Sequence, residues 1–244
     1  MACSFNLDVA DMTFSVSCIY PSTERYCKMF VTEQEGKFAV CVTQKDIDEE
    51  RAKSMAVDSG MNPDLRACPD AYLEVIALLR KIADIITCNN RVLIHGSAIC
   101  VDEKAYIFTA LSGTGKSTHT KLLRQLLGER CVMINDDKPF LYHKNGQFYV
   151  CGTPWMGKHR IGGNIIKPLA GIFFLRRSEN NELAQLSADK ALSLMLSQIH
   201  RPVDPEHMLC TLDLLDILLA SVPLYDFGCN MDISAAELSS SVMK

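Results

Sequence analysis

Apolar and polar positions alternate along this chain in blocks that change period. Residues 1 to about 65 mix short β-type runs with polar turns, and KFAVCVTQ (37–44), alternating and rich in Val and Phe, reads as a strand. MNPDLRACPD (61–70), with two prolines among Asn and Asp, reads as a connector. AYLEVIALLRKIADIITCNN (71–90) then places apolar residues at helical spacing and closes on an Asn pair suited to a C-cap. From Arg91 the pattern sharpens. RVLIHGSAICV (91–101) is a strand interrupted at His95-Gly96, and AYIFTA (105–110), CVMIN (131–135), GQFYVCGT (146–153) and LAGIFFLRR (169–177) are further strands. KSTHTKLLRQLLG (116–128) is a helix that stops at Gly128. Two C-terminal helices follow: SADKALSLMLSQIH (187–200), entered through Ser187 as N-cap, and PEHMLCTLDLLDILLASV (205–222). Met195 and Met208, at helical spacing, read as core. The strands are continuously apolar, so both of their faces must be covered. The expectation is an α/β fold, a mixed sheet flanked by helices over residues 86–244, with an N-terminal α+β extension of unknown role over 1–85.

Composition narrows this picture. With 244 residues and about half of them hydrophobic, the chain can bury a substantial core, and its net charge of -4 with no basic stripe argues against a general nucleic-acid binder. TLDLLDILLASV (211–222) is too short and too interrupted by Asp to span a bilayer, and MACSFNLDVADM has no basic n-region or apolar h-region, so a cytoplasmic protein with no membrane partner is expected. Eleven cysteines, an odd number with no C-x-x-C pair, read as reduced, buried thiols; Cys100, Cys131 and Cys210 lie inside apolar runs, and no spacing supports zinc.

The chemistry concentrates around ALSGTGKST (110–118). It fits the phosphate-loop pattern with Ala110 where the first glycine usually stands, and a strand precedes it and a helix follows it. Ser112, Gly113, Thr114, Gly115, Lys116, Ser117 and Thr118 are the candidate nucleotide contacts. The glycines let backbone amides converge on phosphate oxygens, the helix start presents its dipole, Lys116 adds a point charge for the β- and γ-phosphates, and Ser117 can hold Mg²⁺. VMINDD (132–137) ends a buried strand in Asp136 and Asp137; one can bind metal while the other takes a proton from an attacking hydroxyl, and their mutual repulsion raises one pKa. His95 either fills the core or orients a catalytic Asp, and spacing does not choose between them. CGTPWMGKHRIGGN (151–164) reads as a loop that closes on substrate, with Trp155, Lys158, His159 and Arg160 as candidates. Arg176 and Arg177 form a further basic pair at a strand end, equally readable as surface charge. The DFG triplet at 226–228 lacks the companion motifs of eukaryotic-type protein kinases, so Asp226 reads as a turn residue.

Taken together, HGSAI, YIFTALSGTGKSTHT, MINDDKP and GTPWMGK, over residues 91 to about 200, resemble the HPr kinase/phosphorylase family and most of all its small bacterial kinase-like members. LSGTGKS is also similar to the loop of ATP-dependent phosphoenolpyruvate carboxykinase. The resemblance implies the nucleotide-binding core shared by those two families and an ATP- and Mg²⁺-dependent transfer of the γ-phosphate to a hydroxyl, of serine in a peptide or protein or of a small molecule. It implies Asp136 as general base supported by His95, Asp137 and Ser117 as Mg²⁺ ligands, and Lys116 with the loop amides on the β- and γ-phosphates. It also implies oligomers of the chain. The alternatives are a nucleotide-binding regulatory or peptide-binding protein with little turnover and a small carboxykinase-like enzyme; ATP or GTP is not decided by the loop, which touches no base.

Overall fold

Residues 3–57 and 68–243 are described in the computed structural model of the chain, which divides into two compact units, Met1–Ile85 and Ile86–Lys244. Most of the connector expected at 61–70 therefore lies outside the described residues.

In the first unit, β1 (Cys3–Val9) and β2 (Met12–Cys18) form a hairpin around Ala10 and Asp11, both at positive φ (54° and 61°), the backbone that a two-residue turn needs to match strand twist. β3 (Val31–Thr32) and β4 (Phe38–Cys41) complete a sheet of order β3-β1-β2-β4. The strand expected at 37–44 stops early. Thr43 instead opens α2 (Gln44–Val57), its amide and hydroxyl both bonded to Asp46, at 2.8 and 2.7 Å. That Thr-x-x-Asp spacing is a capping signal. The helix itself was not expected because it is highly charged, although Ile47 is fully buried. Glu74 on α3 (Asp70–Thr87) holds the unit together. Fully buried, its carboxylate accepts from the amides of Ile19 (2.6 Å) and Tyr20 (3.1 Å) and from the Thr23 hydroxyl, tying the entry of α1 (Pro21–Cys27) to α3.

The second unit is a mixed sheet between helices. Its strands are β5 (Arg91–Leu93), β6 (Ser97–Val101), β7 (Lys104–Thr109), β8 (Cys131–Asn135), β9 (Phe140–Lys144), β10 (Gln147–Cys151), β11 (Ile166–Arg177), β12 (Glu182–Gln185) and β13 (Leu224–Cys229). The order is β5-β9-β10-β11-β7-β6-β8, with β13 also on β11 and β12 on β13. β7, β11 and β13 run parallel, and β6 is antiparallel to both β7 and β8, so β8 runs with β7. One edge of the sheet thus collects the C-terminal ends of β7, β8, β11 and β13 and the start of β6. Alternating side chains cover both faces. Ala105, Ile107, Ile172 and Phe174 pack with α5 (Ala188–Leu196) and α6 (Pro205–Ser221) through Met195 and Leu215. Tyr106, Phe108, Phe173 and Phe227 pack with α4 (Lys116–Leu127) and α7 (Ile233–Ser240) through Leu123 and Ala236.

Several expectations need correcting. Ser187 occupies the N-cap position of α5 but its side chain makes no capping bond, whereas Asp204 caps α6 through the amides of Glu206 and His207. Asp226 is not a turn residue: it lies inside β13, paired with Arg176 at 3.1 Å. β9, β12, β13 and α7 had not been expected; they are short, and β12 and β13 mix apolar with charged residues. The cysteines form no disulfide, and Cys100 and Cys131 are buried, but Cys41 and Cys88 are exposed, and Cys210 is only half-buried with its sulfur 2.7 Å from that of Cys88. Met195 is core, while Met208 is half-buried. Among the described residues no helix is long and apolar enough to cross a membrane.

His119, on α4, joins this helix to the far layers. Its ring lies 4.8 Å from Phe108 and 4.9 Å from Phe227, and Nε2 is 3.0 Å from the Ser239 hydroxyl on α7. Burial pushes its pKa down to about 4. On acidification the unfolded chain takes up this proton first, near its ordinary value, and the folded chain only near the lowered one. The titration of His119 therefore costs nothing at neutral pH and destabilises the fold progressively as pH falls from about 6.5 to about 4. Urea unfolding should show a loss of roughly 2 to 3 kcal/mol between about pH 7.5 and about pH 4.5 that is absent in His119→Phe.

Candidate functional site

The glycine loop joins β7 to α4 at the collecting edge of the sheet. Gly113 and Gly115 have φ of +77° and +120°, and a Cβ at either would meet no protein atom within 4 Å. The backbone conformation, rather than crowding from neighbouring protein, is what calls for glycine here. Ala110 is outside the positive-φ set, so alanine is no obstacle where the pattern has its first glycine. α4 starts from Gly115 with no side-chain cap, which leaves the amides of its first turn available to an anion. The Lys116 side chain is buried and donates to the carbonyls of Ala110 (2.9 Å) and Leu111 (3.3 Å); burial pulls its pKa down. Arg177, from the end of β11, donates to the Gly113 carbonyl at 2.6 Å and braces the loop from outside.

Facing the loop, the end of β8 is organised by Asn135, which is fully buried. Its Oδ1 accepts from the amides of Asp137 (2.8 Å) and Lys138 (2.7 Å), and its Nδ2 donates to the carbonyl and the hydroxyl of Thr153, both at 3.0 Å. One amide side chain thus fixes both the Asp-Asp turn and the segment after β10. The two carboxylates differ. Asp136 is buried and accepts from the Gly157 amide at 2.6 Å; burial, opposed by this amide and reinforced by the charge of Asp137, raises its pKa. Burial also pushes Asp137 upward, but His95 Nε2 at 3.3 Å and Lys138 Nζ at 3.1 Å outweigh it, and its pKa is lowered. His95 therefore contacts Asp137, not Asp136 as the resemblance implied. The break between β5 and β6 holds it there, with its own amide bonded to the Gln198 carbonyl at 2.6 Å.

The 151–164 segment folds back against β8. A Cβ at Gly152 would lie 1.8 Å from the Gly163 carbonyl oxygen, and one at Gly162 would lie 2.6 Å from that of Ile134, so close backbone approach explains these glycines. Trp155 does not face substrate: it is buried beside Phe140, ring centroids 6.1 Å apart, and anchors the segment.

A cleft of about 380 Å³ brings together His95, Ser112, Gly113, Gly115, Lys116, Ser117, Thr118, Asp136, Asp137 and Lys158. Thr114 lies on its outside, lining cavities on the other flank of the loop. His159 lines a neighbouring cavity, and Arg160 borders neither this cleft nor that cavity. Sequence reasoning missed Asn135, Lys138 and Gly157, although an Asn directly before an Asp pair at a strand end is a usable turn signal. Among the described residues no three His, Cys, Asp or Glu side chains cluster as metal ligands. Two carboxylates and the Ser117 hydroxyl are nonetheless an all-oxygen set of the kind a hard cation takes together with phosphate oxygens.

No protein-family model matches the chain, and no curated protein matches it. Among solved structures it is similar to the Hpr(Ser) kinase/phosphatase from Coxiella burnetii, at a TM-score of 0.37 and 12% identity over 62% of this chain and 87% of that one, a distant likeness.

Asn135→Ala should strip partners from two half-buried amides and from Thr153 and lower stability by about 2 to 4 kcal/mol in urea unfolding. An exposed substitution such as Lys104→Ala should shift it by no more than about 0.5 kcal/mol.

Proposed function

We propose that the chain is a Mg²⁺-dependent phosphotransferase of the HPr kinase-like type, moving the γ-phosphoryl group of ATP to a hydroxyl of a peptide, a protein or a small molecule, serine first among them. The observation that carries this reading is the split carboxylate pair, Asp136 raised and Asp137 lowered, in one cleft with an uncapped helix start and a buried lysine. A site that only bound nucleotide would gain nothing from a carboxylate held at elevated pKa beside an ionised one.

In this reading the amides of 113–118 and Lys116 bind the β- and γ-phosphates. Asp137 and Ser117 would hold Mg²⁺, which when bound neutralises phosphate charge; His95 and Lys138 keep Asp137 ionised. Asp136 accepts the proton of the acceptor hydroxyl. The freed oxygen forms a bond to the γ-phosphorus, and the bond from that phosphorus to the bridging oxygen breaks, leaving ADP with the electron pair. The Gly157 amide holds the Asp136 carboxylate in place for this. His95 acts on the metal-side carboxylate and reaches the base only through its neighbour.

The test is phosphate transfer from γ-labelled ATP to a panel of serine peptides and free serine. Asp136→Asn should lose at least about 100-fold in transfer while keeping its ATP affinity within about threefold. Because Asp136 must be ionised to act and its pKa is raised, the wild-type rate should fall on acidification at a pH above the ordinary carboxylate range. Full transfer by Asp136→Asn would overturn the assignment.

A further inference from the structure

Asp136 belongs to two spaces. One is the phosphate cleft; the other is a cavity of about 610 Å³ on the outer flank of α4. The remaining cavities around the loop, lined by Thr114 and the ends of β11 and β13, do not include Asp136. If Asp136 takes the acceptor's proton, the 610 Å³ cavity gives the acceptor a route to it.

The lining of this cavity has a definite chemistry. Ser117, Lys121 and Arg124 recur at i, i+4 and i+7 of α4, one face of the helix that continues outward from the loop. His159 stands in the same lining, and Met133 and Ile161 supply its apolar part. Some cations elsewhere in the unit are neutralised, Arg130 by Asp102, Lys167 by Glu103, Arg176 by Glu182 and Asp226. Among the described residues no carboxylate pairs with Lys121 or Arg124. Two uncompensated cations thus share a cavity with the buried carboxylate that would otherwise repel an anionic acceptor.

Resting on the phosphotransferase reading, we propose that the acceptor carries an anionic group, a carboxylate in the first instance, beside its hydroxyl, and that Lys121 and Arg124 bind it. Arg124 offers a fork that matches a carboxylate, and Lys121 a point charge nearer the loop. The apolar wall accommodates the short stem between the two groups, and the volume suits a small molecule or one or two residues of a peptide.

The experiment compares steady-state transfer from ATP to three peptides in which one serine is flanked by aspartates, asparagines or lysines. Wild type should favour the aspartate peptide over the asparagine peptide by on the order of tenfold in kcat/KM, chiefly through KM, and disfavour the lysine peptide. Lys121→Gln/Arg124→Gln should abolish that preference with ATP affinity retained, and Lys121→Arg/Arg124→Lys should restore most of it. A wild type indifferent to acceptor charge, or a preference that survives loss of both cations, would overturn the proposal while leaving the phosphotransferase in place. Absence of transfer to all three peptides and to free serine, with ATP bound, would overturn both.

Discussion

A single buried amide carries the geometry of the cleft. Asn135 has no solvent to fall back on, so its carbonyl and its amino group must both be satisfied by protein. The carbonyl fixes two successive amides of the Asp-Asp turn, and the amino group fixes Thr153. Thr153 in turn donates to the Lys138 carbonyl at 2.7 Å, closing the two segments into one unit. The position of Gly157, and with it the amide that holds Asp136, follows from that closure. Removing the amide would free the two acids and the wall behind them together.

The strand order makes the closure useful. Because β6 lies antiparallel between β7 and β8, the glycine loop, the Asp-Asp turn and His95 emerge on the same edge although α4 and β8 separate the loop from the turn in the chain. The two acids then meet different surroundings. Asp136 points where burial dominates over backbone amides that include that of Gly157; Asp137 points to a histidine and a lysine. Neighbouring residues of identical chemistry are thereby pushed to opposite sides of the ordinary carboxylate pKa, the arrangement that lets one hold charge while the other exchanges a proton.

Periodicity and local punctuation made much of the second unit legible: the strands around 91–110, 131–135 and 169–177 and the helices after the loop and near the C-terminus stand close to where the apolar runs put them. The glycine loop was legible because its residue types are demanded by local backbone conformation, which Gly113 and Gly115 adopt. What escaped depends on partners distant in sequence. The choice of His95 between Asp136 and Asp137 is made by the break between β5 and β6. Trp155 looked like a substrate contact because the stretch around it is polar, yet it packs on Phe140. Asp226 looked like a turn because nothing local announces that Arg176, 50 residues earlier, neutralises it within a strand. α2 escaped because charge hid its buried apolar side chain, Ile47.

The opposed titration of Asp136 and Asp137 is the most direct point at which to examine this site. Carbon-detected NMR of the two side-chain carboxyls across an acid titration, assigned with Asp136→Asn and Asp137→Asn, reads both groups separately in the intact protein. Asp136 should titrate above the ordinary aspartate range and Asp137 below it, with Asp137 moving up when His95 is replaced by phenylalanine. Two carboxyls titrating together, or Asp137 as the higher of the pair, would contradict the division of base and metal ligand on which the proposed chemistry stands.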